Sequence, residues 1–205
     1  MNQNKIDAIY ELMEETIIFL NSLGINHQII CGTALGQARN GGFIPWDNDV
    51  DFGVHKKDSE LIWENKKELE LKGYHIIKAD IGFKLGTGGL SPYANINNKG
   101  VSIGPASPFT EANQDIFIIE EDGKAEDGTS IMRYTSDRAR SSWPREIIPV
   151  SGWYSPVKKL FGGYEVNILP QKELNWYLSH SYGENWKTHD ADGNKIENFS
   201  CLLHS

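Results

Sequence analysis

The sequence has few of the residues that build a disulfide or zinc framework. Its 205 residues include two cysteines and six histidines. Cys31 and Cys201 are far apart, and Cys31 follows the apolar residues Ile29 and Ile30, a setting typical of a small buried side chain. The histidines show no metal-ligand spacing. We therefore expect a reducing compartment, with neither a structural disulfide nor a zinc site.

Long apolar runs are also missing. No stretch approaches the roughly 18 consecutive apolar residues of a membrane span. Residues 1–5 lead directly into an amphipathic segment and not into the apolar core of a signal peptide. The sequence therefore predicts no membrane span and a cytoplasmic location, although a partner could still hold the protein at a membrane.

Positive charge is scarce as well. Lysine and arginine number 20 against 28 aspartates and glutamates, which gives a formal net charge of -8. A protein that binds nucleic acid by neutralising many phosphates needs the opposite balance. We therefore expect no nucleic-acid partner. Any phosphate must be bound by a local device such as a metal ion, an arginine or a group of backbone N–H donors.

The length and the turn residues predict a single domain over residues 1–205. An apolar stripe with spacings of three and four predicts a first helix that ends at Gly24. Residues 32–36 break the strand that follows, and a second short helix is expected to reach Arg39. Further helices are expected at 59–71 and 170–183, strands at 25–31, 74–77, 83–85, 115–119 and 164–169, and a long loop at 86–113.

Asp49 and Asp51 lie two positions apart, and Val50, Phe52 and Val54 suggest a strand that is buried on one face. Side chains at this spacing point to the same side of a strand. Two carboxylates about 4 Å apart repel by roughly 4 kcal/mol at an effective dielectric constant near 20. A shared proton, an arginine or a divalent cation would offset that repulsion. Oxygen donors favour Mg²⁺ or Mn²⁺ over zinc.

The spacing of these acids is equally consistent with a solvated acidic turn. A calcium-binding EF-hand loop that begins at Asp47 is a second interpretation, but its sixth position requires glycine and its twelfth requires glutamate. Phe52 and Asp58 stand at those positions. The calcium interpretation is therefore excluded, and the acidic turn stays open.

A Gly-Thr pair follows the first predicted strand. Gly32 lets the backbone come close to a phosphate, and the N–H groups at the start of the next helix attract anions. Arg39, one or two helical turns later, could reach the same phosphate. The pair is also common in simple turns, and Arg39 could instead lie at the surface or bind one of the acids.

The run from Cys31 to Asp51 closely resembles the signature of the LicD family, which includes bacterial phosphocholine transferases and is similar to fukutin and fukutin-related proteins. The shared pattern is Gly-Thr-x-Leu-Gly, then Arg, then Gly-Phe-Ile-Pro-Trp-Asp and finally Asp-x-Asp. Looser matches follow in the family's order, including 115–117 (Asp-Ile-Phe) and 143–146 (Trp-Pro-Arg-Glu). The chain departs from the family at Asn48, where the family often has aspartate.

The resemblance implies an α+β nucleotidyltransferase fold, with a mixed β-sheet flanked by helices. It implies that Asp49, Asp51 and Asp115 are catalytic and bind one or two Mg²⁺ (or Mn²⁺) ions. Asp115 would complete the metal shell or accept a proton. The residues expected to contact substrate are Gly32, Thr33, Gly36, Arg39 and Asp47.

Individual roles follow from the same resemblance. Gly32 and Thr33 would hold phosphate, Arg39 would neutralise charge on the leaving CMP, and Asp47 would mainly brace the loop. Three other residues are expected to have ordinary roles: Trp46 and Tyr182 in packing, and Lys84 as a solvated lysine.

The family's usual reaction moves a substituted phosphate, such as phosphocholine or ribitol phosphate, from a CDP-linked donor to a sugar hydroxyl, and CMP is released. The partners implied are a CDP-linked donor and a glycan acceptor. Two other functions stay open. One is nucleotidyl transfer from a nucleoside triphosphate to a small molecule, and the other is non-catalytic binding of a nucleotide or sugar.

Overall fold

The structure of the protein is a computed structural model that describes residues 3–44, 47–103 and 108–189. Trp46 and Cys201, for which expectations were stated, lie outside this range. The helices are α1 (Gln3–Ser22), α2 (Cys31–Asn40), α3 (Ser59–Glu64), α4 (Lys67–Glu70), α5 (Asp137–Ser142), α6 (Val150–Trp153) and α7 (Gln171–Tyr182). The strands are β1 (His27–Ile29), β2 (Val50–His55), β3 (His75–Ala79), β4 (Gly82–Gly86), β5 (Asn113–Lys124), β6 (Ser130–Tyr134), β7 (Ile148–Pro149), β8 (Val157–Phe161) and β9 (Tyr164–Ile168).

The long strand β5 organises the main sheet, whose order is β1-β2-β5-β4-β3. Its first half pairs in parallel with β2 and antiparallel with β4. Its second half pairs antiparallel with β6, which in turn pairs with β7. Strands β8 and β9 form a separate two-stranded sheet. Parallel and antiparallel pairs thus occur in one sheet with helices around it, which confirms the predicted α+β class.

The apolar stripe of α1 packs against the sheet. Ile9, Met13 and Leu20 are fully buried, and Gly24, with a φ of 67°, lies in the turn that follows. Thr16 accepts a hydrogen bond at its Oγ1 from the side-chain amide of Gln114, at 2.9 Å, and so connects the helix to the start of β5. The predicted first helix and its end are therefore confirmed.

Three other predicted elements differ from the structure. The strand predicted over 25–31 covers only His27–Ile29, and Cys31 already belongs to α2. The single helix over residues 59–71 is wrong, because the chain forms α3 and α4 with a break at Asn65. The Asn65 side chain donates to the Leu61 carbonyl at 2.9 Å, a local bond that competes with a continuing helix. The strand predicted over 115–119 extends as far as Lys124.

The register of β5 places three charged residues side by side. Asp115 is the partner of Asp51 on β2 and of Lys84 on β4. Paired residues on neighbouring strands point to the same face of the sheet. The backbone pairing alone therefore brings two acids and a lysine together, although they are far apart in the sequence.

Gly36 lies at a tight contact between α2 and the turn after it. A Cβ added at this position would come 2.5 Å from the carbonyl oxygen of Gly42. We predict that Gly36→Ala lowers the free energy of unfolding by about 1–3 kcal/mol, because the backbone of the turn must move. Urea denaturation measures this change.

Gln37→Ala, on the next residue of the same helix, is the control. It removes one exposed hydrogen bond, from Nε2 to the Leu160 carbonyl at 3.2 Å, and should change stability by only about 0.5 kcal/mol. Wild-type stability in Gly36→Ala would show that α2 does not need this close approach.

A candidate acidic metal site

Three acids meet at the ends of β2 and β5. Asp51 lies on β2 and Asp115 on the neighbouring β5, and Asp49 directly precedes β2. Each of the three offers a carboxylate oxygen, and these oxygens all lie within 4.8 Å of one another. The structure thus brings together the three residues that the resemblance implied. The open alternative of a solvated acidic turn does not describe them, because two of them belong to paired strands.

A cavity of about 290 Å³ opens onto these acids. One part of its lining comes from the site itself: Cys31, Gly32, Asp47, Asp49, Asp51, Lys84 and Asp115. The rest comes from the β3–β4 turn, from β5, from α5 and from residues near the ends of α5 and α7: Asp80, Ile81, Phe117, Arg138, Trp143, Glu146 and Tyr182. The site is therefore a concave pocket that is built from distant parts of the chain.

Lys84 lies in the cavity, although the sequence did not predict it as a site residue. The expectation of a solvated lysine is wrong, since Lys84 is only 3% exposed. Its Nζ donates to both oxygens of Asp115, at 2.8 and 2.7 Å. A buried lysine requires such a partner because an isolated charge is costly to remove from water. The available signal was its position between the apolar residues Phe83 and Leu85 on a strand.

Burial and the charges of neighbouring carboxylates both act on the pKa values of these acids. Burial raises the pKa of Asp51 well above its usual range, and the charges of Asp49 and Asp115 raise it further. Burial also raises the pKa of Asp115 to about 6, although the ammonium group of Lys84 opposes this rise. One lysine thus offsets part of the repulsion, and a bound cation would offset more.

Asp47 interacts directly with Asp49. Their carboxyl groups are close enough that each acts on the pKa of the other. Burial, followed by the charge of Asp49, raises the pKa of Asp47 to about 7. Oδ1 of Asp47 also accepts from the backbone N–H of Asn48 at 3.1 Å. Asp47 therefore both lines the cavity and fixes the loop before β2.

Gly32 makes room for a carboxylate, whereas Thr33 makes a hydrogen bond to the backbone. A Cβ at Gly32 would lie 2.9 Å from Oδ2 of Asp47, so glycine lets this carboxylate approach the backbone. Thr33 is 1% exposed, and its Oγ1 accepts from the backbone N–H of Asp51 at 2.9 Å. The structure thus uses the threonine hydroxyl to position Asp51, and not as a group that faces the cavity.

The structure does not bring Arg39 and Gly36 to the cavity. Arg39 donates from Nε to the carbonyl of Trp186 at 2.6 Å, and from a terminal nitrogen to the carbonyl of His189. Its guanidinium group therefore connects α2 to the segment after α7. The arginine that does line the cavity is Arg138, on α5, which contacts Asp80 at 2.5 Å.

Glu146 is a further acid in the lining of the cavity. It accepts a hydrogen bond from the hydroxyl group of Tyr177, and the side chains of Ser181 and Tyr182 also bond to it. The hydroxyl of Tyr177 in turn accepts from the backbone N–H of Cys31 at 2.8 Å. The expectation that Tyr182 only packs is thus incomplete, because Tyr182 lines the cavity and bonds to Glu146. The Trp-Pro-Arg-Glu motif was the one signal in the sequence for this acid.

The donor chemistry of the cluster fits a hard divalent cation. Asp49, Asp51 and Asp115 offer carboxylate oxygens, which Mg²⁺ and Mn²⁺ prefer. Cys31 also lines the cavity, but burial raises the pKa of its thiol well above the usual range, and its Sγ lies 3.1 Å from the hydroxyl of Tyr134. A thiolate ligand for zinc is therefore disfavoured here.

Comparison with known proteins agrees with this arrangement. The family model described as "LicD/FKTN/FKRP, nucleotidyltransferase domain" matches residues 24–155, which include all three acids and Lys84. The chain belongs to the LicD family. Its mixed sheet and flanking helices are consistent with the fold of that family.

Individual relatives of this LicD-family chain match shorter stretches. An uncharacterized protein of Rickettsia typhi is 32% identical over 76 residues, which are 37% of this chain and 25% of that protein. The ribitol 5-phosphate transferase FKRP of Homo sapiens is 37% identical over 51 residues, 25% of this chain and 10% of FKRP. The chain thus spans a quarter or less of the length of these relatives. Among the described residues, no helix has the length and apolar character needed to cross a membrane.

The bond from Asp51 to Thr33 gives a testable prediction. Thr33→Val keeps the shape of the side chain but leaves a buried N–H without an acceptor, and it should lower the free energy of unfolding by about 1–3 kcal/mol. Thr33→Ser, which keeps the hydroxyl, is the matched control. Urea denaturation of both variants measures the effect. Equal stability of the valine and serine variants would contradict the proposed role of the hydroxyl.

The raised pKa values predict that the metal-free protein loses stability as the pH rises. The ordinary value of an aspartate is 3.8, whereas Asp115 has a pKa of about 6 and Asp47 of about 7 in the folded protein. Between these values the folded state binds more protons than the unfolded state, so the free energy of unfolding falls. Asp115 alone should contribute a fall on the order of 3 kcal/mol between pH 4 and pH 7.

Chemical denaturation in EDTA at several pH values between 4 and 7 measures the slope of the free energy of unfolding against pH. Asp47→Asn should make it shallower, and saturating Mg²⁺ should restore stability at pH 7.5 because it binds only the folded state. A stability that rises with pH from 5 to 7 in EDTA would contradict this account of the site.

Proposed function

We propose that this LicD-family chain transfers a substituted phosphate, such as phosphocholine or a polyol phosphate, from a CDP-linked donor to a sugar hydroxyl of a glycan, with release of CMP. The observation that carries the proposal is the convergence of Asp49, Asp51 and Asp115 in one cavity of a LicD-family domain. The name of the relative FKRP, a ribitol 5-phosphate transferase, supports phosphate-group transfer as the general class.

Asp49, Asp51 and Asp115 are the residues that would hold Mg²⁺ or Mn²⁺. Such an ion neutralises the charge of a diphosphate ester and polarises its phosphoryl oxygens. Burial and, after it, the charges of Asp49 and Asp115 raise the pKa of Asp51, and a bound cation would favour the ionised carboxylates again. The site and its substrate are thereby electrostatically complementary.

The chain's own groups would bind the rest of the donor. Helix α2 begins at Cys31, and both Cys31 and Gly32 line the cavity, so the positive end of the helix faces the bound phosphates. We assign the charge-neutralising role first expected of Arg39 to Arg138, whose guanidinium lines the cavity at a half-exposed position. Trp143, 41% exposed beside it, offers an aromatic surface for the base or sugar of the donor.

Asp115 either completes the shell of the metal ion or, if it stays outside that shell, accepts the proton of the attacking sugar hydroxyl. Its pKa of about 6 lies close to neutral pH, where a general base works best. Lys84 favours the ionised carboxylate, so that Asp115 keeps its capacity to take a proton at a carboxylate oxygen from the attacking sugar hydroxyl.

The free thiol of Cys31 supports the further proposal that the protein works in a reducing compartment such as the cytoplasm.

A donor screen tests the proposal. The protein is incubated with Mg²⁺, candidate sugars and CDP-choline, CDP-ribitol, CDP-glycerol or nucleoside triphosphates, and the released nucleotide is identified by mass. We expect CMP from one CDP-linked donor. Asp49→Asn and Asp51→Asn should each reduce its release by at least about 100-fold, because several kcal/mol of charge stabilisation are lost.

Glu60→Gln is the control for these variants, since Glu60 is an exposed acid on α3, outside the cavity lining. Wild-type rates in both aspartate variants would overturn the proposal. Release of pyrophosphate from a triphosphate would show nucleotidyl transfer instead. Metal-independent binding of a nucleotide, without turnover of any donor, would show a non-catalytic member.

A further inference from the structure

The ion pair between Lys84 and Asp115 bears on how many cations the site holds. Both oxygens of Asp115 accept from the ammonium group of Lys84, at 2.8 and 2.7 Å. The side chains of Lys84 and Asp115 are 4% and 14% exposed. The charge of Lys84 also acts on Asp49. A positive charge therefore already lies inside the acidic cluster before any metal ion binds.

We propose that the Lys84 ammonium group takes the place of a second metal ion, so that the site binds one divalent cation per chain. This inference rests on the proposed function, because it concerns the same metal site. The sequence predicted one or two ions, and we now propose one. Asp49 and Asp51 would be the main ligands of the single ion, whereas Asp115 shares its charge between that ion and Lys84.

The backbone keeps Lys84 in this position. Lys84 is paired directly with Asp115 in the antiparallel register of β4 and β5, and β4 is an inner strand of the sheet. A residue on an inner strand cannot move away without breaking backbone hydrogen bonds on both sides. The backbone of Lys84 is thus fixed beside Asp115, and its buried side chain reaches both carboxylate oxygens.

Electrostatics disfavour a second divalent ion next to this group. In two-metal sites the ions lie roughly 3.5–4 Å apart. A second ion would need Asp115 as a ligand, and both carboxylate oxygens of Asp115 already accept from the Lys84 ammonium group. Two cations at this distance repel each other, and displacing the lysine would leave a buried charge without its partner, which is strongly destabilising.

The cavity lining offers no other described group for this role. Its second basic side chain, Arg138, contacts Asp80 and not one of the three clustered acids. Lys84 is thus the basic residue of the described lining that pairs with a member of the cluster. The number of bound ions should therefore depend on the Lys84 side chain.

Binding of Mn²⁺ to the whole protein, without any donor, tests the inference. Equilibrium dialysis counts the ions per chain, and electron paramagnetic resonance distinguishes an isolated Mn²⁺ from a spin-coupled pair. We expect one isolated ion in the wild-type protein and in Lys84→Arg, which keeps the positive charge. In Lys84→Met we expect a second ion per chain and a coupled spectrum.

A double variant, Lys84→Met with Asp115→Asn, is the matched control, and it should again bind one ion because the ligand of the second position is gone. Two coupled ions in the wild-type protein would overturn the inference but leave the metal site intact. A single ion in a folded Lys84→Met would overturn it as well. If the wild-type protein bound no Mn²⁺, the metal part of the proposed function would fall and the inference with it. If Lys84→Met does not fold, two coupled ions in the wild-type protein or in Lys84→Arg would still overturn the inference.

Discussion

The parallel pairing of β2 with β5 is the constraint on which the candidate site depends. It places Asp51 directly beside Asp115, and both side chains point to the same face of the sheet. Other contacts serve this arrangement: Thr33 fixes the backbone of Asp51 where β2 begins, and the hydrogen bond between Thr16 and Gln114 ties α1 to the start of β5. A shift of one residue between these strands would send one of the two acids to the opposite face.

The same pairing creates an electrostatic cost that the rest of the site reduces. Carboxylates that are buried close together favour protonation, as the raised pKa values of Asp47, Asp51 and Asp115 show. Lys84 offsets part of this repulsion through its two hydrogen bonds to Asp115, and burial keeps the pKa of Asp47 and Asp49 raised. Neither removes the excess of negative charge. A site with this excess of negative charge favours the binding of a cation, and a bound cation attracts a substrate that carries phosphates.

The sequence predicted local features better than contacts between distant residues. The spacing of Asp49 and Asp51 and the stripe of α1 are local patterns, and a strand or helix follows directly from them. Asp115 could be joined to the first two acids only through the family resemblance, because no rule of spacing gives the pairing of β2 with β5. Lys84 was misread for the same reason: its burial results from its neighbours on two other strands.

The parts of the site beyond the family match were the least predictable. The family model ends at residue 155, yet Tyr182 of α7 lines the cavity, and Tyr177 of the same helix contacts both Glu146 and the backbone of Cys31. Cys31 has a φ of 52°, unfavourable for a residue other than glycine, so its backbone needs such a partner. Helix α7 therefore supports the start of α2, where the proposed phosphate site lies. This dependence is our reason for proposing that the C-terminal helix and the family-matched region form one domain.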